Sequence, residues 1–398
     1  MSTAALAPAC EAKRLQKPVS VLTVTPFFPA RGDETQGCFV AEPLSLMESL
    51  AVANSTIAVR PFYRGRAVVA EGPVPAQWVH FFAVPTGVGL SSAGAFLHAR
   101  LMSEVSRSHR RRPFDLIHAH SALPCGHAAA LLSRELNIPF VVTVHGLDAF
   151  FTQQVGGYAG SLCARVAGFV YRSARKVICV SEQVRVSVKN QPENETNTAV
   201  VYNGVDSEMF FPAISEPSID RILSVGNLIA VKGHELLIRA FAALRRRYSH
   251  AQLDIIGDGP ERGRLQNIAR NLQVDGRVRF LGRQSRGQVA EAMRCCTIFA
   301  LPSRYEGLGC VYLEAMSSGK AVIACRGQGI GEVIQGGVNG WLVEPGNLDE
   351  LTESLATLLQ QSGLRRRLGE TARHTILGSY TLQHQAARLA TLYRDCLS

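Results

Sequence analysis

Short, almost unbroken apolar runs recur along this chain, spaced by stretches long enough for a helix. In the first half they are VSVLTV (19–24), STIAVR (55–60), FDLIHA (114–119), FVVTVH (140–145), KVICVS (176–181) and TAVVYN (198–203). A strand with one wet face alternates apolar and polar residues. A strand apolar on both faces is covered on both, which is the condition of a parallel sheet between two helical layers. The rhythm stops at DSEMFFPAISEPSID (206–220) and then restarts with RILSVG (221–226), QLDIIG (252–257), RVRFLG (277–282), TIFALP (297–302), AVIACR (321–326) and GWLVEP (340–345). Two such series predict an α/β chain of two doubly wound, Rossmann-like domains facing across a cleft. The expected division is an N-terminal extension at 1–18, a first domain at 19–207, a linker at 208–220 and a second domain at 221–380. A terminal helix at 381–398 is expected to pack back on the first domain. From about Leu348 the tail reads as helix with one break, near Gly378–Ser379.

At 398 residues, 46% of them hydrophobic, the chain can fill two cores. The net charge of +10 suggests anionic partners. Its arginine clusters, such as Arg110–Arg111–Arg112, read as solvated helix faces. No zinc-finger spacing, RNA-binding signature or basic tail points to nucleic acid. The ten cysteines form no C-x-x-C pair, which suits a reducing cytosol. No signal peptide or spanning segment is expected. The predicted location is therefore cytoplasmic, with at most peripheral attachment to the inner face of a membrane.

In open α/β sheets ligands bind beyond the C-terminal ends of the strands, so the chemistry is sought there. The first strand ends in a loop carrying Gly32 and Gly37, with a helix beginning near Cys38 or Phe39. The next two candidates end in histidine: His118 and His120, followed by His127, and then His145, followed by Gly146 and Asp148. Imidazoles from neighbouring strands would point at one cleft. No i,i+4 pair or acidic partner completes a zinc site among them. In the second half Lys232 and Gly233 stand at a helix entrance, where a cation and unpaired N–H groups can cradle a diphosphate. Gly257, Gly259 and Gly263 follow a strand as G-x-G-x-x-x-G, which is not the dinucleotide fingerprint.

The stretch SRYEGLGCVYLEAM (303–316) carries two glutamates, Glu306 in a loop and Glu314 in the helix that starts near Leu308 or Gly309. Eight residues of helix separate Cα atoms by about 12 Å. Paired glycosidase carboxylates stand about 5–9.5 Å apart. The spacing favours two ends of an extended ligand. The N–H groups between them form an anion site, so the order hydroxyls, phosphates, hydroxyls is matched by a nucleotide diphosphate-sugar.

With these motifs the sequence resembles the retaining GT-B glycosyltransferases of glycosyltransferase family four, over nearly its whole length. The most specific part is E-x7-E in SRYEGLGCVYLEAMSSGKAVIA followed by GIGEVI. VKGHELLIRAF and IIGDGPER are typical, and TVHGLDA, VYNGVD and the opening loop fall in the expected order. The resemblance implies that Glu314 binds the donor ribose and Glu306 the hydroxyls of the transferred sugar. Gly307, Leu308 and Gly309 would contact sugar and diphosphate through backbone N–H groups. Lys232 would neutralise the diphosphate, and His145 would face the donor sugar at the reacting carbon. His145, Lys232 and Glu306 are thus the expected catalytic set. Asn203, in VYNGVD, joins the donor-binding set, and Gly37 belongs to a loop closing over the phosphates.

The resemblance implies a UDP- or GDP-linked sugar as donor, no cofactor and no metal. It implies a glycan or lipid-linked glycan as acceptor, in surface polysaccharide synthesis. Two departures stand out. Asn227 occupies the position of the family's usual arginine, so Arg304 or Arg326 is the expected substitute. The first loop has only Gly37 in place of a glycine pair. A catalytically silent GT-B scaffold is the alternative reading. The amphipathic stretch SSAGAFLHARLMSEVSRSHRRR, with Phe96, Leu97, Leu101 and Val105, suggests an anionic membrane surface as a further partner, although these residues equally suit a core.

Overall fold

The computed structural model describes residues 18–30, 35–65, 74–85, 87–146, 155–190, 197–215 and 219–398. The N-terminal extension up to residue 17, Gly32, Asp148 and residues 216–218 of the expected linker lie outside the described residues.

The first half runs β1 (Val19–Thr25), α1 (Cys38–Leu44), β2 (Val52–Pro61), β3 (Gln77–Phe81), α2 (Leu90–Arg111), β4 (Leu116–His120) and α3 (His127–Leu136). It continues through β5 (Phe140–Val144), α4 (Gly157–Ser173), β6 (Lys176–Cys179), α5 (Glu182–Lys189) and β7 (Thr198–Val200). The second half runs β8 (Arg221–Val225), α6 (His234–Ala243), β9 (Gln252–Ile256), α7 (Arg262–Asn271), β10 (Val278–Gly282), α8 (Arg286–Cys295), β11 (Ile298–Ala300), α9 (Cys310–Ser317), β12 (Ala321–Cys325) and β13 (Trp341–Val343). Three helices close the chain: α10 (Leu348–Gln360), α11 (Ser362–Ser379) and α12 (Leu382–Leu397).

Each half makes one parallel sheet. The strand orders are β3-β2-β1-β4-β5-β6-β7 and β10-β9-β8-β11-β12-β13. Both are doubly wound, and both reverse direction beside their first strand, between β1 and β4 and between β8 and β11. A crevice opens at such a reversal because successive crossover helices leave for opposite faces. The central strands β4 and β5 are buried at every position, so most of their residues are apolar, and their polar ones, His118, His120 and Thr143, are hydrogen-bonded inside. Strand β3 has no counterpart among the apolar runs read from the sequence. It pairs only with β2, at the sheet edge, and after the exposed Gln77 its residues alternate between half-buried and buried.

Three further expectations are corrected. The tail breaks twice, at Gln361 as well as at Tyr380. The first break lets Leu351, Leu355 and Leu358 of α10 cover the second sheet while Ile376 of α11 reaches the other cluster. The α9 helix begins at Cys310, one residue later than read, because Gly309 at φ 82° turns the chain into it. The apolar stripe of α2 is core: Leu97, Leu101 and Val105 are buried under the first sheet, and Phe96 alone of the four is exposed. No helix among the described residues is long and apolar enough to cross a membrane.

The last helix lies against the first sheet, where Leu389, Ala390 and Tyr393 pack with Val21, Leu116 and Val141. A second seam joins the domains at α5. The Glu332 carboxylate accepts from the N–H groups of Glu182 and Gln183 at 2.8 and 2.7 Å and from the Tyr202 hydroxyl at 2.8 Å. An anion at a helix N-terminus meets unpaired donors and the positive end of the helix dipole. The Ser181 hydroxyl donates to the Gly307 carbonyl at 2.6 Å beside it.

Candidate active site

The two reversal points face each other, and a cavity of about 320 Å³ lies between them, walled by both domains. Its floor is the turn from β11 into α9. Glu306, in that turn, is buried. One of its carboxylate oxygens accepts from Lys232 Nζ at 2.5 Å and from the Ser303 hydroxyl at 2.9 Å. Its backbone N–H donates to the Gln328 side chain at 3.0 Å, so the loop is fixed from both sides. Lys232 ends a single 3-10 turn, Ala230–Lys232, and Gly233 at φ 72° then starts α6.

Glu314 is buried one turn into α9, and it pairs with Arg286, the first residue of α8. The same guanidinium reaches across the cleft to Glu42 of α1 at 2.7 Å and lies over the Phe210 ring at 4.8 Å. Burial works against the charge on Arg286, but Glu314 and Glu42 hold it protonated well above the usual arginine range. Burial raises Glu42, against the pull of Arg286. One cation shared by two carboxylates has little charge left to offer an incoming anion. That is a suitable surface for hydroxyl groups and a poor one for a phosphate. The two glutamates of E-x7-E therefore have separate cations, Lys232 and Arg286.

From the first domain comes His145, at the end of β5. Its ring stacks on His120 at 5.2 Å, with Nε2 3.0 Å from His120 Nδ1, and it is flanked by Phe39 at 4.8 Å and Phe27 at 5.5 Å. Burial pushes His145 down to about 3, so the imidazole at the cleft is neutral. His118 is likewise pushed down to about 3 by burial. It bridges the Tyr393 hydroxyl and the Thr143 hydroxyl, both at 2.7 Å.

These buried neutral imidazoles set a pH dependence. The unfolded chain takes up protons near pH 6.5, whereas the folded one resists until about pH 3. Stability is therefore full above about pH 6.5, falls as the pH drops, and levels off below about pH 3. Each of His118 and His145 contributes a slope of up to about 1.4 kcal/mol per pH unit. Urea midpoints should be level from pH 7.5 to about 6.5 and fall from there to pH 4.5. A His118→Gln variant should show a shallower fall, and a parallel curve would refute the assignment.

The cavity gathers His145, Asn203, Lys232, Glu306, Gly307, Leu308, Gly309 and Glu314 from four separate segments. Asn203 donates to the Cys310 sulfur at 3.3 Å. Gly37 is not in the wall, but it caps α1 at φ 78°, and the next residue, Cys38, is. His120 backs His145, whereas His127 sits in α3 beside Phe169, away from the cleft. Gly257 lines the cavity, and Gly259 packs on the backbone of Leu228. The substitutes expected for the missing arginine are not there. Arg326 pairs with Glu344 and Glu350 on the surface, and Arg304 is exposed outside the wall. Arg283 and Arg286 line the cavity instead. Sequence reading missed both. The available signal was Ser285, a helix cap immediately after the strand RVRFLG.

Residues 209–375 match the family model of group 1 glycosyl transferases, and residues 55–209 match that of Glycosyltransferase Family 4. An uncharacterised glycosyltransferase of Methanocaldococcus jannaschii is 37% identical over 65% of this chain and 69% of its own length. The chain belongs to the group 1 glycosyltransferases. An N-acetyl-alpha-D-glucosaminyl L-malate synthase of Bacillus anthracis is 30% identical over 75% of this chain and 79% of its own. The fold of this glycosyltransferase is also that of two solved structures. Sucrose-phosphate synthase of Thermosynechococcus elongatus superposes with a TM-score of 0.78 at 19% identity, over 96% of this chain and 99% of its own. Anabaena HepE, solved with UDP and glucose, gives 0.75 at 20% identity, over 95% and 100%.

Proposed function

We propose that this glycosyltransferase moves a hexose from a nucleotide diphosphate-sugar to a glycan or lipid-linked glycan, with retention at the anomeric carbon and without a metal. The observation that carries the reading is the separation of the two glutamates onto two cations at opposite ends of one cleft. A neutral nucleoside ribose fits the Arg286 end, where Glu314 accepts its hydroxyls. The diphosphate fits the end that holds Lys232 and the N-terminus of α9, and Glu306 accepts hydroxyls of the transferred sugar. Asn203 and Gly37 complete the first-domain side of the donor site. HepE, a neighbour in fold, is solved with UDP, which makes a uridine donor the first to test.

As the glycosidic bond breaks, negative charge grows on the leaving diphosphate. Lys232 and the helix N-terminus stabilise it in place, which lowers the barrier without reorganisation. Among the described residues the first-domain side of the wall carries no carboxylate to act as a nucleophile, and Glu42, outside it, is engaged by Arg286. Retention then follows from attack on the face that the diphosphate leaves, with the acceptor hydroxyl passing its proton to a departing phosphate oxygen. His145, neutral and held by rings, positions the sugar.

Thermal unfolding with UDP, GDP and ADP tests the donor site. A ligand at 100 times its Kd stabilises the fold by about 2.7 kcal/mol. One nucleotide should raise the midpoint, and Glu314→Ala should abolish most of the rise, because a charge-assisted hydrogen bond contributes about 1.5–3 kcal/mol. A wild-type chain indifferent to all three would favour the silent scaffold. NMR of the product formed in EDTA then reads the anomeric configuration, and an inverted product would overturn the same-face mechanism.

A further inference from the structure

A second cavity, of about 420 Å³, opens in the first domain beside the C-terminal ends of β1, β2 and β3. One aromatic wall separates it from the donor cleft. Phe27 lines the second cavity and meets His145 edge-on, and His145 lines the first. A molecule seated here is next to the reacting carbon of a bound donor.

Its chemistry differs from that of the donor cleft. The floor is Trp78, Phe81 and Phe27, and Arg60 and Arg64 stand over it. Among the described lining residues there is no carboxylate. The neutral polar side chains of the wall include Gln36 and Ser121, and its charged groups, Arg60 and Arg64, only donate, which favours an anionic oxygen beside them. Arg60 leaves β2 with one terminal nitrogen donating to the Arg64 carbonyl at 2.9 Å. Its Nε is buried and has no hydrogen-bond partner. Such an N–H is uncommon and costly, and an anionic oxygen is its natural acceptor. The mouth is apolar. Tyr63 and Val84 line it and are about half exposed, and beyond them Phe82 and Phe96 meet edge-on at 5.0 Å, both exposed to solvent.

We propose that this cavity holds an amphiphilic, anionic acceptor. A phosphate or phosphodiester oxygen is bound by Arg60 and Arg64, an apolar portion lies on Trp78 and Phe81, and the remainder leaves along Phe82 and Phe96. The inference rests on the glycosyltransferase reading for its function, but its binding chemistry can be tested apart from it. Arginine pairs bind phosphate bidentately, and aromatic faces cover apolar chain at low entropic cost.

Trp78 lies in the cavity, so its fluorescence reports occupancy. The full-length chain is titrated with decyl phosphate below its micellar concentration, with decyl glucoside and with inorganic phosphate. Decyl phosphate should saturate the signal with a Kd at least about 10-fold below either of the others, a difference of about 1.4 kcal/mol. The double variant Arg60→Gln, Arg64→Gln should lose that preference. Equal binding of decyl glucoside, equal binding of inorganic phosphate, or an unaffected double variant would each overturn the proposal. Vesicles of phosphatidylglycerol and of phosphatidylcholine separate the two sources of the ligand. Anion-dependent vesicle binding that the double variant loses supports a lipid headgroup, and decyl phosphate binding without vesicle binding supports a soluble phosphate amphiphile. UDP stabilisation of the wild-type chain, measured in parallel, reports the donor cleft alone. Its absence sinks the donor reading and leaves the acceptor chemistry standing.

Discussion

Lys232→Ala is expected to lower kcat by about 10²- to 10³-fold, the loss seen when one preorganised donor to a developing negative charge is removed. The size of the effect follows from the place of Lys232, whereas Arg283 and Arg286, which also line the cleft, come from the segment after β10. Asn227 stands in the cleft wall where the family usually has arginine, and Arg286 is already shared by Glu42 and Glu314. Lys232, 2.5 Å from Glu306, is the cation placed beside the helix N-terminus. Its removal also strands the buried Glu306 carboxylate without a cation, which disfavours an incoming diphosphate further. Lys232→Arg should recover part of the rate, since it restores charge with different geometry. Steady-state kinetics on the three proteins decide the matter. A drop of less than about threefold in Lys232→Ala would move the leaving-group role to Arg283.

Gly307→Ala is expected to cost about 10²-fold in kcat/KM with little change in the unfolding midpoint. A Cβ at Gly307 would stand 2.2 Å from the His145 carbonyl oxygen and 3.0 Å from the Gly146 Cα. Both contacts are backbone in the opposite domain, so neither can rotate away. The clash is relieved only by moving the two domains apart at the cleft, and a displacement of about 1 Å between reacting groups costs about 10²-fold. Each sheet keeps its own core, so the fold survives. Small-angle scattering with saturating nucleotide should show a more open variant. Wild-type kinetics in Gly307→Ala would mean that the close approach of the domains is not the reactive arrangement.

The parts of the site legible in the sequence are those that a strand end dictates. His145, Lys232 and Glu306 each follow an apolar run by a few residues. A parallel strand must release its chain at the C-terminal edge, so their place in the cleft could be read from period and length alone. The edge strand β3 escaped because it has only one partner and keeps the alternation of a half-wet surface. The stripe on α2 was ambiguous for a similar reason: an amphipathic face reads the same whether a sheet or a membrane covers it.

The pairing of charges was not legible at all. Arg286 and Glu42 are separated by more than two hundred residues, and nothing local marks either as a partner of Glu314. The same holds for the joining of Phe27 to His145 and for the cavity under Arg60 and Arg64. The sequence by itself determined two successive parallel sheets and the strand ends where ligands are met, because burial on both faces and chain direction are local constraints. The tertiary structure decided which cation serves which carboxylate and which wall divides the two cavities. Those depend on distances across a cleft, which side chains from opposite domains settle only when both sheets are in place.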